Sequence, residues 1–339
     1  IVLGCLVAFL SRSGPKEPQF KAKSLSVWLT ALDPNRVNAF YLAPMPNHEA
    51  ADAIYAIGEP AVPFLLRRLE SGLAARQKNI GLQKWPIKWP FKLFEERLNK
   101  RMESGYEAVF GFVALREKGA IAMPTLAAML AANGSHSDEI LISMAATGSP
   151  SLNTLSNSMQ SADRFLRHDS IRASGLLGKS GAPLVPLLIS KLQSTNQDDL
   201  DRSFSARALG RIGAPPVLIL PALRQALAAT NTNIKNNVAL GLAYLGESGR
   251  EAIPDIETEL MSGGGQRNDC LLLALIVLST NDDRIVTALR QTSSSSYSPK
   301  QPIGETFAAI RRTWPNCDLR NRHKMLSMLS DVTPIKGSD

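Results

Sequence analysis

The stretch LLGKSGAPLVPLLISKL (residues 176–192) returns further along the chain as AYLGESGREAIPDIETEL (243–260). In both, a Leu-Gly pair and two more residues lead to a glycine; a proline follows five positions later and opens an apolar-periodic stretch. The same frame fits AIGEPAVPFLLRRL (56–69) and EKGAIAMPTLAAML (117–130). In ATGSPSLNTLSNSM (146–159) Asn153 replaces the proline, and in LGRIGAPPVLILPALRQAL (209–227) three extra residues separate Gly213 from Pro221. The frame glycines are Gly58, Gly119, Gly148, Gly181, Gly213 and Gly249, spaced 61, 29, 33, 32 and 36 residues apart. A degenerate seventh copy, VLSTNDDRIVTALRQ, puts Asp282 and Thr287 at the glycine and proline positions.

A second column supports the frame. Four residues before each glycine position stand Ile54, Leu115, Met144, Leu177, Leu209, Leu245 and Leu278, all large and apolar. This pattern predicts a helix, a tight turn and a second helix in each unit. The frame glycine is expected to supply the positive φ that ends the first helix. The proline is expected in the first turn of the second helix, where no intrahelical hydrogen bond is lost. Two helices of this kind bury their apolar columns only by stacking on neighbouring units.

The frame resembles HEAT repeats, particularly the short HEAT-like repeats of bacterial proteins. The resemblance rests on Ala208-Leu209-Gly210-Arg211-Ile212-Gly213, on Leu176–Gly181 and Ala243–Gly249, and on prolines 63, 124, 186, 221 and 254; it covers residues 49–290. It implies an all-α, right-handed α-solenoid of about seven two-helix repeats. The solenoid is expected over residues 25–331, with capping helices at about 303–331. Leu25, Trp28, Leu29 and Leu32 share one face of a lead-in helix capped by Ser24.

The first ten residues, IVLGCLVAFL, are uncharged, and the polar segment 11–24 follows as a linker. Ten residues fall short of the roughly 20 needed to span a bilayer. The segment therefore reads as the tail of a signal peptide or membrane anchor. A buried first helix and an acylated Cys5 in a lipobox-like Val2-Leu3-Gly4-Cys5 are the alternatives. An exported or membrane-anchored location in the cell envelope is the corresponding expectation, with the cytoplasm as alternative.

Between Gly58 and Gly119 no repeat can be placed. Arg67–Arg101 holds ten basic residues against three acidic ones, most of the chain's net charge of +8. Trp85, Trp89, Phe91 and Phe94 are interleaved with Lys84, Lys88 and Lys92, and Pro86 and Pro90 bar a regular helix until about Lys92. We read about 75–103 as a basic aromatic insertion at the edge of the N-terminal third, with Trp85 or Trp89 at least partly exposed. Such a segment suits a protein hot spot, an anionic membrane surface or nucleic acid, in that order. Alternatively, the rings cover the solenoid edge while lysine stems snorkel outward.

Chemistry-bearing motifs are scarce. The sequence has no phosphate loop, no dinucleotide fingerprint, no His-Glu-x-x-His and no Gly-x-Ser-x-Gly. Three cysteines, at 5, 270 and 317, make no disulfide framework, although Cys270 and Cys317 could pair in an exported protein. His48, His136 and His168 read as helix-end residues, and Asp198, Asp199 and Asp201 as a helix N-terminus favouring carboxylates. No catalytic residue, cofactor or metal is expected. The expected function is a non-enzymatic scaffold for a protein partner. Arg67, Arg68, Lys191, Arg224 and Arg290 would form a basic strip on the second helices, joined by the insertion residues Lys84, Trp85, Lys88, Trp89 and Lys92. The HEAT resemblance also admits enzymes, namely bilin lyases and alkylpurine DNA glycosylases, and a membrane-surface binder is the third class. For a glycosylase, Glu95 or Glu96 beside the tryptophans would be the candidate carboxylate.

Overall fold

The computed structural model describes residues 16–32, 47–83, 92–133, 138–194, 198–262 and 268–279. They are mostly α-helical, and sequential helices pack on one another. A short antiparallel ribbon, β1 (Gln19–Phe20) and β2 (Lys23–Ser24), leads into α1 (Leu25–Leu32). Three helix pairs follow: α2 (His48–Ile57) with α3 (Val62–Gln83), α4 (Lys92–Leu115) with α5 (Met123–Asn133), and α6 (Asp138–Ala146) with α7 (Leu152–Ser158). Three more complete the set: α8 (Arg164–Ser174) with α9 (Val185–Gln193), α10 (Asp199–Ile212) with α11 (Pro216–Leu227), and α12 (Thr232–Tyr244) with α13 (Ile253–Ser262). The last described helix is α14 (Asp269–Leu278).

The first helices α2, α4, α6, α8, α10, α12 and α14 touch in unbroken succession, and each second helix packs on the first helix of the next pair. All seven residues of the apolar column, from Ile54 to Leu278, are buried. They belong to one continuous core that runs the length of the stack. The lead-in helix buries Leu25, Trp28, Leu29 and Leu32, as its periodicity requires.

The prolines fall where the frame puts them, with one exception. Pro63, Pro124, Pro186 and Pro254 are each the second residue of a second helix, as is Asn153. Pro221 instead lies inside α11, because the three extra residues extend that helix backward to Pro216.

The glycine expectation holds for only half of the turns. Gly58, Gly148 and Gly213 have φ of 69, 81 and 67°, but Gly119, Gly181 and Gly249 do not. In those three turns the positive φ lies three residues earlier, at Arg116, Gly178 and Gly246. The frame glycine then sits buried in a 3-10 stretch and is needed for space. A Cβ on Gly181 would lie 3.0 Å from Ile212, and one on Gly249 only 2.5 Å from the Leu242 carbonyl oxygen.

The linker expectation changes from residue 17 onward. Glu17 accepts from the Ser26 backbone N–H and hydroxyl, and the Leu25 N–H donates to the Pro18 carbonyl. Glu17 and the Pro18 carbonyl therefore satisfy two of the orphan amides of α1. The Trp28 indole donates to the Phe20 carbonyl, pinning the ribbon to the helix. Residues 1–10, most of 11–24 up to residue 15, and 303–331 lie outside the described residues.

Candidate functional site

Within the 61-residue interval the described residues form two lengthened helices, and the second begins at Lys92, where the sequence expects a regular helix to resume; residues 84–91 between them lie outside the described residues. α3 has 22 residues against 7 to 12 in the other second helices, and α4 has 24 against 9 to 14 in the other first helices. Together α3 and α4 form an antiparallel hairpin. Their backbones meet at Gly72 and Gly105, where a Cβ on Gly72 would lie 2.7 Å from the Gly105 Cα. Only glycine at both positions permits this approach.

The following pair meets the hairpin partway up. Gln77 on α3 donates to Asn133, the last residue of α5, and Arg76 reaches Asp138 and Glu139 at the start of α6. Beyond Gln77, α3 runs on for six residues, about 9 Å of helix. The distal part of α4 exposes Arg97, Lys100 and Arg101 on one face, with Glu95 and Glu96 a turn away. A polar recess of about 550 Å³ opens between α1, α3 and α4. Its lining includes Thr30, Arg68, Glu96, Lys100, Glu103 and Glu107, so it presents both signs of charge.

A buried ionic joint holds the base of the hairpin. One Arg76 guanidinium nitrogen lies 2.8 Å from both Asp138 and Glu139, and another donates to the Tyr106 hydroxyl at 2.7 Å. Burial opposes the Arg76 charge, but Glu139 and Asp138 outweigh it and hold its pKa above the ordinary arginine value. Burial, then the hydrogen bond and charge of Asp138, push the Glu139 carboxyl to about 9. Glu139 therefore keeps its proton near neutrality, and the Asp138 Oδ2, buried without an N–H donor, lies beside it. Burial also works against the Asp138 charge, but the Glu139 hydrogen bond and Arg76 overcome it and lower its pKa. On α8, burial and the Asp138 charge raise Asp169 to about 7.

The expected basic strip is not a row of free cations. Arg68 pairs with Glu107 at 2.8 Å and donates to the Ser26 hydroxyl. Arg224 pairs with Asp255 at 2.5 Å. Lys191 is buried, with its ammonium 3.9 Å from Asp201. Arg67 is exposed, stacked over Phe64 with 4.6 Å to the ring centroid. Lys84, Trp85, Lys88, Trp89 and Arg290 lie outside the described residues, as do Cys317 and His136. Lys92 opens α4, and its side chain also lies outside them.

Sequence reading missed a second buried joint. Asp201 is fully buried and accepts from the Arg167 Nε at 2.7 Å, with the His168 Nε2 at 3.1 Å from its other oxygen. His168 is thus a core residue within α8, and Asp163 is the cap. Burial lowers the His168 pKa despite Asp201 and Asp198. Asp198 does cap α10, accepting from the Leu200 N–H. Among the described residues no His, Cys, Asp and Glu group has the arrangement of a metal site. Among them, too, no helix is long and apolar enough to cross a membrane.

No family model matches the chain, and no curated protein is similar enough to count as a relative.

Proposed function

We propose that this chain is a non-enzymatic, HEAT-like α-solenoid scaffold that binds a protein partner at the cell envelope, with the α3–α4 hairpin as its main contact. The observation that carries this reading is the hairpin itself. It outruns the helix pair beside it and offers Arg97, Lys100 and Arg101 to solvent. Stacking explains the repeat columns, whereas Arg97, Lys100 and Arg101 stay exposed around the buried Leu98. Arginines beside a recess are a usual composition for an interaction hot spot. The proposed N-terminal anchor would keep the scaffold at the membrane.

The test is recovery of a partner from the native envelope on tagged full-length chain. The triple variant Arg97→Glu, Lys100→Glu, Arg101→Glu is expected to lose the partner while keeping its thermal midpoint. Equal recovery by the variant, or no discrete partner for either protein, would count against the reading. Partner-independent flotation with anionic vesicles would favour the membrane-surface alternative. Release of a base from alkylated duplex DNA, or covalent colour after incubation with a bilin, would favour the enzyme classes.

A further inference from the structure

Arg97 and Arg101 stand one turn apart on the exposed distal part of α4, and neither has a carboxylate within reach along its own helix. Ion pairs on a helix surface need an acid three or four residues away. Arg97 has Leu93, Phe94, Lys100 and Arg101 at those positions, and Arg101 has Arg97, Leu98, Ser104 and Gly105. Lys100 differs, with Glu96 four residues before it and Glu103 three after. Like charges at i and i+4 disfavour a helix slightly, so the pair does not serve the stability of α4.

The tertiary structure does not pair them either. Every other described arginine makes an ion pair, a hydrogen bond or a ring contact within the protein. Arg97 and Arg101 make none among the described residues, and both are exposed. Lys78 on α3 is exposed too, and it precedes Asn79, which donates to the Met102 sulfur of α4. A third cation therefore stands at the same height of the hairpin.

We propose that Arg97 and Arg101 dock an acidic segment of the protein partner, one carboxylate to each guanidinium. The proposal rests on the scaffold reading above and gives the partner's chemistry at the hairpin. Four residues of helix advance about 6 Å, so carboxylates one turn apart on a facing helix come into register with the two arginines. Guanidinium forks take carboxylates in a bidentate way. Exposed charges of this kind set the rate of encounter and the choice of partner.

A uniformly anionic surface suits the site less. On the recess side, Glu96, Glu103 and Glu107 stand against Arg68 and Lys100, an excess of one acid. A membrane or a nucleic-acid backbone would press phosphates onto that side as well. A protein segment can set neutral or basic side chains there while its carboxylates meet Arg97 and Arg101.

The experiment is fluorescence anisotropy on the full-length chain, with a labelled alanine-based helical peptide carrying Glu at i and i+4. The same peptide with Gln at both positions, phosphatidylserine vesicles and a single-stranded oligonucleotide are the comparison probes. The Glu peptide is expected to bind, more weakly as salt rises, and the Gln peptide is not. The double variant Arg97→Gln, Arg101→Gln is expected to bind the Glu peptide about tenfold or more weakly, with the exposed Arg164→Gln on α8 unchanged. Arg101→Gln alone is expected to weaken binding partially and serves where the double variant does not fold. Three results overturn the proposal: no binding of the Glu peptide, binding that Arg97 and Arg101 do not affect, or tighter binding of the vesicles or the oligonucleotide through the same arginines. If the triple charge-reversal variant still loses the envelope partner in any of these cases, the scaffold reading stands and only the acidic chemistry is lost. Recovery of no discrete partner removes the scaffold reading itself.

Discussion

Arg76 on α3 and Glu139 on α6 lie 2.8 Å apart across 63 residues of sequence, and with Asp138 they clamp the hairpin to the next helix pair. The joint is buried, so its charges cannot fall back on water when a partner is removed. Arg76→Ala leaves the Asp138 charge buried without its cation, beside the protonated Glu139, and is expected to cost about 3–5 kcal/mol in urea unfolding. Adding Asp138→Asn, which removes the charge left behind, should recover part of that loss. A cost below about 1 kcal/mol would mean that the joint is solvated.

Stability should fall from mildly acidic to alkaline pH. Glu139 titrates at about 9 in the folded chain against an ordinary 4.5, and Asp169 at about 7 against 3.8. Both values are raised, so between each pair the folded state holds more protons and stability declines with pH. The slope reaches about 1.4 kcal/mol per pH unit for each proton involved. Asp138, whose pKa is lowered, acts oppositely: its contribution is present at neutral pH and lost in acid. Thermal midpoints at pH 6, 7.5 and 9 should decrease in order, and Glu139→Gln should flatten the upper part. A midpoint rising to pH 9 would contradict the assignment.

Close backbone crossings should tolerate no methyl group. Gly72→Ala brings a Cβ within 2.7 Å of Gly105, and Gly210→Ala within 2.1 Å of the Gly241 carbonyl oxygen. Each should destabilise by about 1–3 kcal/mol, as overpacking does, with Gly210→Ala the worse. Gly178→Ala has open space around it, and its penalty comes from a φ of 52° instead. A neutral Gly210→Ala by denaturant titration would show that the two helices are further apart.

At Arg116 the exchange should run the other way. Its φ of 54° falls in the left-handed region, at the position that Gly178 and Gly246 occupy in their own turns. Arg116→Gly should therefore stabilise by about 0.5–1 kcal/mol, the strain relieved less the entropy glycine adds to the unfolded chain. Loss of the Arg116 contact with the Tyr55 ring, at 5.6 Å, offsets part of this gain. A clear loss of stability would show that the contact outweighs the strain.

Local features of the fold were legible in the sequence. Ile54 through Leu278 form the buried column because each precedes a turn by one helical turn, a spacing that sequence displays directly. Pro63, Pro124, Pro186 and Pro254 mark helix starts for the same reason. The hairpin was harder to read. A search for repeat turns finds none where two helices simply continue, and charge alone does not separate a long helix from a connector. Long-range pairing was not legible at all. Lys191 has the spacing of a surface lysine, but Asp201 from the next first helix draws it into the core. Arg76 looks like any helix arginine until α6 brings Asp138 and Glu139 to it. The split between Gly178 and Gly181 was likewise hidden. Both are glycines in the same turn, one needed for its φ and the other for its missing side chain.

Site-specific photo-crosslinking tests the scaffold reading most directly. A benzophenone side chain placed at Arg97, on the exposed distal face of α4, would be irradiated in the native envelope alongside one at Met261, exposed on α13. The account predicts a discrete, light-dependent protein adduct from position 97 that is absent from position 261. No adduct at 97, or the same smear from both positions, would contradict it.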